Sequence, residues 1–348
     1  MKSPIRFIIV VMVVLSTAIF ARAQDTETLR VLTHDSFNVS EDVLTAFEEE
    51  TGITVEILRA GDAGQVVNQS ILAAGNPLGD VLYGVDNTFL SRALENDLFI
   101  PYQSPLLENV DESFIFDDAY SVTPIDYGDV CLNYDIGYFE ENELALPDSL
   151  EALTDEAYQG LLVVENPATS SPGLAFLLAT INQFGTEGDY TYLDYWTDLV
   201  ENDVLITDGW SDAYYTYFTA ASEDGTYPLV VSYASSPPVT YDEDLEAATT
   251  ASIVADGTCF RQIEYAGILN GTEKEEVAQQ FIDFLLSVDF QEDLTLQMYV
   301  FPVNEEAELP ELFADYAQIP ENPVLLDVVD IEENREAWIE AWTETVLR

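Results

Sequence analysis

Hydroxyl and aromatic side chains collect at the ends of two apolar runs. Leu229 to Pro238 reads Leu-Val-Val-Ser-Tyr-Ala-Ser-Ser-Pro-Pro, a buried strand that stops at Tyr233, Ser235 and Ser236 before a Pro-Pro break. Val163 to Gly173 reads Val-Val-Glu-Asn-Pro-Ala-Thr-Ser-Ser-Pro-Gly and leads into an apolar helix from Leu174 to Ile181. That order puts Ser170 and Ser171 at a helix N-terminus, where free backbone N–H groups favour an anion. The chemistry open to such groups is recognition through alcohol hydrogen bonds and ring faces. Catalysis finds no matching set. His34 is the single histidine, and no Gly-x-Ser-x-Gly elbow accompanies it; Gly209-Trp210-Ser211-Asp212-Ala213 departs at its last position. The chain has no His-Glu-x-x-His, Cys/His cluster, phosphate loop or Gly-x-Gly-x-x-Gly. Paired carboxylates, the need of a glycosidase, carry no information among 66 acidic residues. The expectation is a binding protein, not an enzyme, with no cofactor and no metal.

The elements that must position these groups alternate. Leu29 to Thr33 reads as a strand ending in His34-Asp35-Ser36-Phe37, followed by a helix capped by Ser40 and closed by Gly52. Ile53 to Leu58 is a second strand, Ala60-Gly61-Asp62-Ala63-Gly64 a turn opening a helix, and Asp80 to Asp86 a third strand. This strand–helix alternation argues for a parallel α/β sheet. A second α/β block follows Pro124, with strands around Val130 to Asn133, Leu161 to Val164 and Leu229 to Ser232. Thr272-Glu273-Lys274-Glu275 reads as a capping box for an amphipathic helix carrying Val277, Phe281, Phe284 and Leu285. The last helix carries Trp338 and Trp342 at i and i+4, spacing that suits core packing. A chain that leaves one lobe, builds a second and returns has the layout of a hinged two-lobed binding protein. Its expected parts are residues 24–124 with 264–312, and 125–263 with 313–348.

Lys2 and Arg6, an apolar run from Phe7 to Phe20, and Ala21-Arg22-Ala23 have the form of a secretory signal over residues 1–23. The expected location is therefore periplasmic or otherwise extracytoplasmic. With 66 acidic and 10 basic residues the formal charge is −56. That balance leaves no basic patch for nucleic acid and acts mainly as a solvation device. Two cysteines, Cys131 and Cys259, in an exported chain favour one disulfide, with two buried free thiols as the alternative.

Six segments occur in one order: Thr33-His34-Asp35-Ser36-Phe37, Gly84-Val85-Asp86-Asn87, Asp126-Tyr127-Gly128, Thr169-Ser170-Ser171-Pro172-Gly173-Leu174, Gly209-Trp210-Ser211-Asp212-Ala213-Tyr214 and Ser232-Tyr233-Ala234-Ser235-Ser236-Pro237. The series resembles the periplasmic thiamine-binding proteins of bacterial thiamine ABC transporters. That resemblance implies a type II two-lobed periplasmic-binding α/β fold related to ferric-ion and polyamine binders. It also implies capture of thiamine or thiamine phosphate and its delivery, by a monomer, to an ABC transporter permease. Matched by motif, the ligand contacts would be Ala63, Gly64, Ser170, Ser171, Trp210, Tyr233, Ala234, Ser235 and Ser236. Asp35, Asp86 and Asp126 are further partners for the aminopyrimidine or the thiazolium, and His34 and Tyr299 are additional candidate contacts. The chain departs from the family pattern at His34, where a tyrosine is expected, at Tyr299, where a tryptophan is, and at Val239, where an aromatic is.

Each assignment has a plainer counterpart. Ser170 and Ser171 would serve equally as helix caps, Asp86 and Asp126 as turn residues, and Trp210 as core. Tyr214-Tyr215 invites an Fe(III) reading through paired phenolates, though Tyr217 and Phe218 follow at helical spacing, which favours packing. A receptor for Fe(III) or a polyamine on the same scaffold, and an acidic secreted hydrolase, are the competing functions.

Overall fold

The computed structural model describes residues 27–326 and 328–348. The signal sequence read at residues 1–23 lies outside the described residues. A single sheet path runs through the molecule in the order Ile53–Arg59, Glu27–Thr33, Val81–Asp86, Phe260–Leu269, Thr123–Asp135, Leu229–Tyr233, Leu162–Glu165, Leu205–Thr207. The three strands at the first end are mutually parallel, with Glu27 to Thr33 in register against Ile53 to Arg59. The three at the other end are parallel as well. Val81–Asp86 and Leu162–Glu165, with every residue buried, are strands covered on both faces, whereas the edge strand Ile53–Arg59 alternates.

Between the two parallel groups stand the long strands Thr123–Asp135 and Phe260–Leu269, antiparallel to each other and to their outer neighbours. The parallel sheet expected from Leu29 to Asp86 is present, and the strands that join it to the second parallel group are antiparallel. The segment read as a short strand around Val130 is the second half of a 13-residue strand that serves both ends. This arrangement makes the molecule two-lobed, because the same two strands carry the sheet from one parallel group into the other. Their register breaks twice at one level. Tyr265 and Ala266 pair Val85 and Tyr83, leaving Gly84 as an extra residue, while Glu264 and Tyr265 pair Asp126 and Pro124, leaving Ile125 extra. Bulges of this kind bend and twist a strand and re-aim its side chains. Further along, Arg261 clamps the two strands together, donating from Nε and Nη2 to the buried Asp129 carboxylate at 2.7 and 2.9 Å.

Helices cover both faces. Ser171–Phe184 is apolar on every side, and Ser171 through Ile181 are all buried, as an all-round hydrophobic helix requires. It packs with Trp196, whose ring meets Trp342 edge-on at 5.4 Å, so the terminal helix Val328–Val346 uses Trp342 as core. Helix Glu275–Leu285 buries Val277, Phe281 and Leu285 beneath the first lobe. The capping box read at its start does not form. Thr272 Oγ1 instead donates to Asp80 and accepts from the Lys274 N–H, because the Lys274 ammonium is drawn away to Asp80 and the Thr28 carbonyl. Helix Glu41–Thr51 follows Ser40, whose hydroxyl makes no capping bond, and ends on Gly52 at φ 72°.

Cys131 and Cys259 form a disulfide with their Cα atoms 4.4 Å apart, 128 residues distant in sequence. It ties the start of one central strand to the middle of the other. Closing a loop of this length should stabilise the fold, so replacing both cysteines by alanine is expected to lower the unfolding free energy by roughly 2–5 kcal/mol in a urea titration. An unshifted midpoint would show that the sheet and core hold these strands together without the bond.

Candidate functional site

Every parallel strand points its carboxyl end toward the junction of the lobes, where α/β sheets gather their ligand-binding loops. From the first lobe these ends deliver His34 after Glu27–Thr33, Asp62 after Ile53–Arg59, and Asp86 at the close of Val81–Asp86. The second lobe delivers Ser171 after Leu162–Glu165, Trp210 after Leu205–Thr207, and Ser236 after Leu229–Tyr233. Between them lies a cavity of about 520 Å³, within the range usual for small-molecule sites.

The lobes meet across it. The Trp210 backbone N–H donates to Asp62 Oδ2 at 3.0 Å, Ser36 and Ser211 share a hydroxyl contact at 3.2 Å, and the Ser171 hydroxyl donates to the Asp86 carboxylate. Gly64 packs so near the Thr169 carbonyl that an added Cβ would lie 2.9 Å from its oxygen. The cleft is therefore closed.

One wall is aromatic. Trp210 stacks on the buried Tyr214 at 4.8 Å, meets Tyr215 edge-on at 5.5 Å, and lies 6.4 Å from Tyr233. The indole is locked by its Nε1–H donating to Ser232 Oγ at 3.0 Å, and Ser232 in turn meets Ser236 at 3.0 Å. Tyr233 lies across Gly128, where a Cβ would come within 2.8 Å of the ring, and its hydroxyl accepts from Gln262. Tyr299 also lines the cavity, held at φ 57°, a strained backbone for a bulky residue. Strain of this sort persists where surrounding structure insists on a side chain's placement.

Acidic groups come from both sides of the cleft, Asp208 and Asp212 flanking Trp210 itself. Asp35, Asp62, Asp208, Asp212 and Glu264 line the cavity, against one guanidinium among the described residues, that of Arg59. Arg59 is itself turned to the Phe37 carbonyl, which accepts from its Nε and Nη2. Glu264 sits at the level of both bulges, paired in register with Asp86 on one side and Asp126 on the other. Three carboxyls thus share one row of the sheet. Burial, then the Coulomb field of Glu264, drives Asp126 well above the usual carboxylate range, and it accepts from the buried Tyr83 hydroxyl. Burial likewise raises Asp86 to about 6, against hydrogen bonds from Ser171 and Thr88 that favour its ionised form. Burial also lifts Asp62, opposed by the Trp210 N–H and His34. Glu165, fully buried with neither oxygen partnered, is held well above its ordinary value by burial and by Asp62.

His34 faces this row. Its Nε2 lies 3.3 Å from Glu264 Oε1, an ion-pair contact outside hydrogen-bond geometry, with about a tenth of each side chain exposed. Burial alone would lower the imidazolium; Glu264, then Asp62 and Asp35, outweigh it and hold it above 6.5. The ring lies over Gly84, the bulged residue at φ 98°, whose missing Cβ would fall 2.3 Å from Cδ2.

Of the residues expected from sequence, Ala63, Ser171, Trp210, Tyr233, Ser236, His34, Asp35 and Tyr299 line the cavity. Gly64, Ser170, Ala234, Ser235, Asp86 and Asp126 do not; they form the layer behind it. Ala234 and Ser235 are turned inward beside the disulfide and Gly128, because the strand ends at Tyr233 and the chain turns there. Asp126 is sealed under Tyr83. Ser170 is fully buried; its hydroxyl is near enough to steady the Asp62 carboxylate but makes no bond of ordinary geometry. Trp210 opens a short helical turn, Trp210–Asp212. Tyr214 is core and Tyr215 half-exposed, their rings 76° apart, and among the described residues no cluster of His, Cys, Asp and Glu is placed to hold a metal. Sequence reasoning passed over Asp62 and Glu264. An Asp directly before a helix and a single acid inside the apolar run Phe260–Leu269 were the available signals.

The profile of the family described as bacterial extracellular solute-binding protein matches residues 76–319. The chain is 27% identical to the thiamine-binding periplasmic protein of Escherichia coli, over 92% of this chain and 94% of that one. It is 28% identical to the protein of the same description from Brucella suis, over 94% of each. A solved periplasmic thiamin binding protein superposes with a TM-score of 0.81 at 26% identity, covering 92% of this chain and 96% of that one.

The buried carboxyl at Asp86 makes stability depend on pH in a defined direction. Folded protein retains a proton on Asp86 up to about pH 6, whereas the unfolded chain releases it near 3.8, so stability falls as pH rises between these values. Asp86→Asn should remove this part of the fall, on the order of 2 kcal/mol, read as the change in urea unfolding free energy between about pH 4 and 6.5 in the two proteins. Parallel profiles would mean that the folded state does not raise Asp86.

Proposed function

Because the chain belongs to the bacterial extracellular solute-binding proteins, we propose that its inter-lobe cavity captures thiamine and presents it, outside the cytoplasm, to the permease of an ABC transporter. The observation that carries this reading is the pairing of an indole and phenols with an excess of carboxylates in one closed cavity of about 520 Å³. Thiamine is a cation with two flat rings, so it needs both. Trp210, Tyr215, Tyr233 and Tyr299 offer ring faces, and cation–π attraction is worth roughly 0.5–2 kcal/mol per face. Glu264, Asp62 and Asp35 supply negative charge, while Ser171 and Ser236 suit the hydroxyethyl end. Ala63 shapes the wall, and Gly64, Ser170, Ala234 and Ser235 back it. With five carboxylates lining the cavity and one guanidinium already turned to a carbonyl, the field favours free thiamine over its phosphate esters. The names of the relatives and of the solved thiamin-binding structure support the same ligand.

On this reading the lobes divide as 24–124 with 264–312 and 125–263 with 313–348, and two of the three crossings, after 124 and after 263, lie beside the register break at Ile125. Bending there would open and close the cleft, the protein acting as a monomer. No catalysis is assigned: His34 faces Glu264, and among the described residues no serine hydroxyl bonds to it. An Fe(III) site fits less well, since Tyr214 is buried under Trp210.

Calorimetry with thiamine, thiamine phosphate, putrescine and Fe(III) tests the reading, with thiamine expected to bind most tightly and Fe(III) to give no phenolate charge-transfer colour. Trp210→Ala should weaken thiamine at least about tenfold, or roughly 1.4 kcal/mol. An unchanged dissociation constant would remove Trp210 from the site.

A further inference from the structure

His34 and Glu264 face each other inside the cavity at 3.3 Å, outside ordinary hydrogen-bond geometry, so charge is the larger part of what holds them together. A carboxylate held in this way is available to another cation. We propose that the His34 imidazolium is the resident counter-charge of Glu264 before ligand arrives, and that an entering organic cation takes its place, so that each binding event releases the Nε2 proton of His34 to solvent. The proposal rests on the reading of the cavity as a thiamine site and adds to it a proton that travels in the opposite direction.

The surroundings of the imidazole explain why it is the group that yields. Glu264 faces it from the strand Phe260–Leu269, Asp62 from the turn before helix Ala63–Leu72, and Asp35 from its own segment. Tyr83 lies 6.0 Å away on the strand Val81–Asp86 and is engaged with Asp126 behind it, while Arg59 sits in the same cavity wall. The ring cannot slide away from an incoming cation, because Gly84 beneath it and Tyr83 beside it fix its place. It can, however, lose a proton. Without ligand the carboxylates keep the imidazole charged to higher pH than usual. A second positive charge on Glu264 cancels that field and adds repulsion, both of which favour the neutral ring. Arg59 cannot answer in this way, since a guanidinium does not deprotonate in proteins. The consequence is an affinity for cations that rises with pH, by up to about tenfold per pH unit where a full proton is exchanged.

His34 is the single histidine of the sequence, so its ring gives one unambiguous proton resonance in the tag-free protein. Titrating that resonance from pH 5 to 9 should show a midpoint above 6.5 without ligand and a lower one with saturating thiamine. Calorimetry in buffers of different ionisation heat should show proton release over the same range, and His34→Gln should flatten the pH dependence of the dissociation constant. An imidazole that titrates identically with and without bound thiamine overturns the proposal, as does proton release without an imidazole shift, which would assign it to the carboxyls. The wild-type titration decides the matter even if His34→Gln does not fold. Absence of thiamine binding at every pH overturns the cavity reading, and the proposal with it.

Discussion

Three carboxyls in one row of a sheet, Asp86, Glu264 and Asp126, are the constraint around which this molecule is arranged. Burying like charges side by side is unfavourable unless some are neutralised and the rest are paired. Burial and the field of Glu264 hold Asp126 well above the usual carboxylate range beneath Tyr83. Asp86 takes hydroxyl donors from Thr88 and, across the cleft, from Ser171. Glu264 faces His34. The row remains an electronegative floor, and the cavity above it is made for positive charge.

The bulges at Gly84 and Ile125 belong to the same design. They fall on both sides of Tyr265. Bulges bend and twist the strands that carry them and re-aim side chains, and Glu264 at the same level lines the cleft. Polar contacts cross the cleft, among them Asp62 with Trp210 and Ser36 with Ser211, while one apolar core also joins residues of both lobes, such as Val67 and Phe89 with Leu174 and Trp342.

Much of the architecture was legible in the residues. The strand–helix alternation from Leu29 to Asp86 and the apolar run at Leu229 describe parallel strands, because strands buried on both faces must be apolar throughout. Trp210, Tyr233, Ser171 and Ser236 end apolar segments, and strand ends converge on the cleft. Asp62 escaped notice as one more acid in a very acidic chain, although its place before a helix is a capping position and its second oxygen binds the opposite lobe. Glu264 escaped because nothing local shows that its strand runs between two others carrying acids at the same level.

By itself the sequence determined the element types, the two α/β blocks and the kinds of group at each strand end, since these follow from local periodicity and from where apolar runs stop. Only the tertiary structure decided which of those groups face the cavity and which stand behind it. Ser170, Ala234, Ser235 and Asp126 differ from their cavity-lining neighbours by one or two positions, and the turn of a chain over that distance reverses the direction of a side chain. The pairing of His34 with Glu264 was likewise decided by register across strands far apart in the chain, a relation that no local pattern encodes.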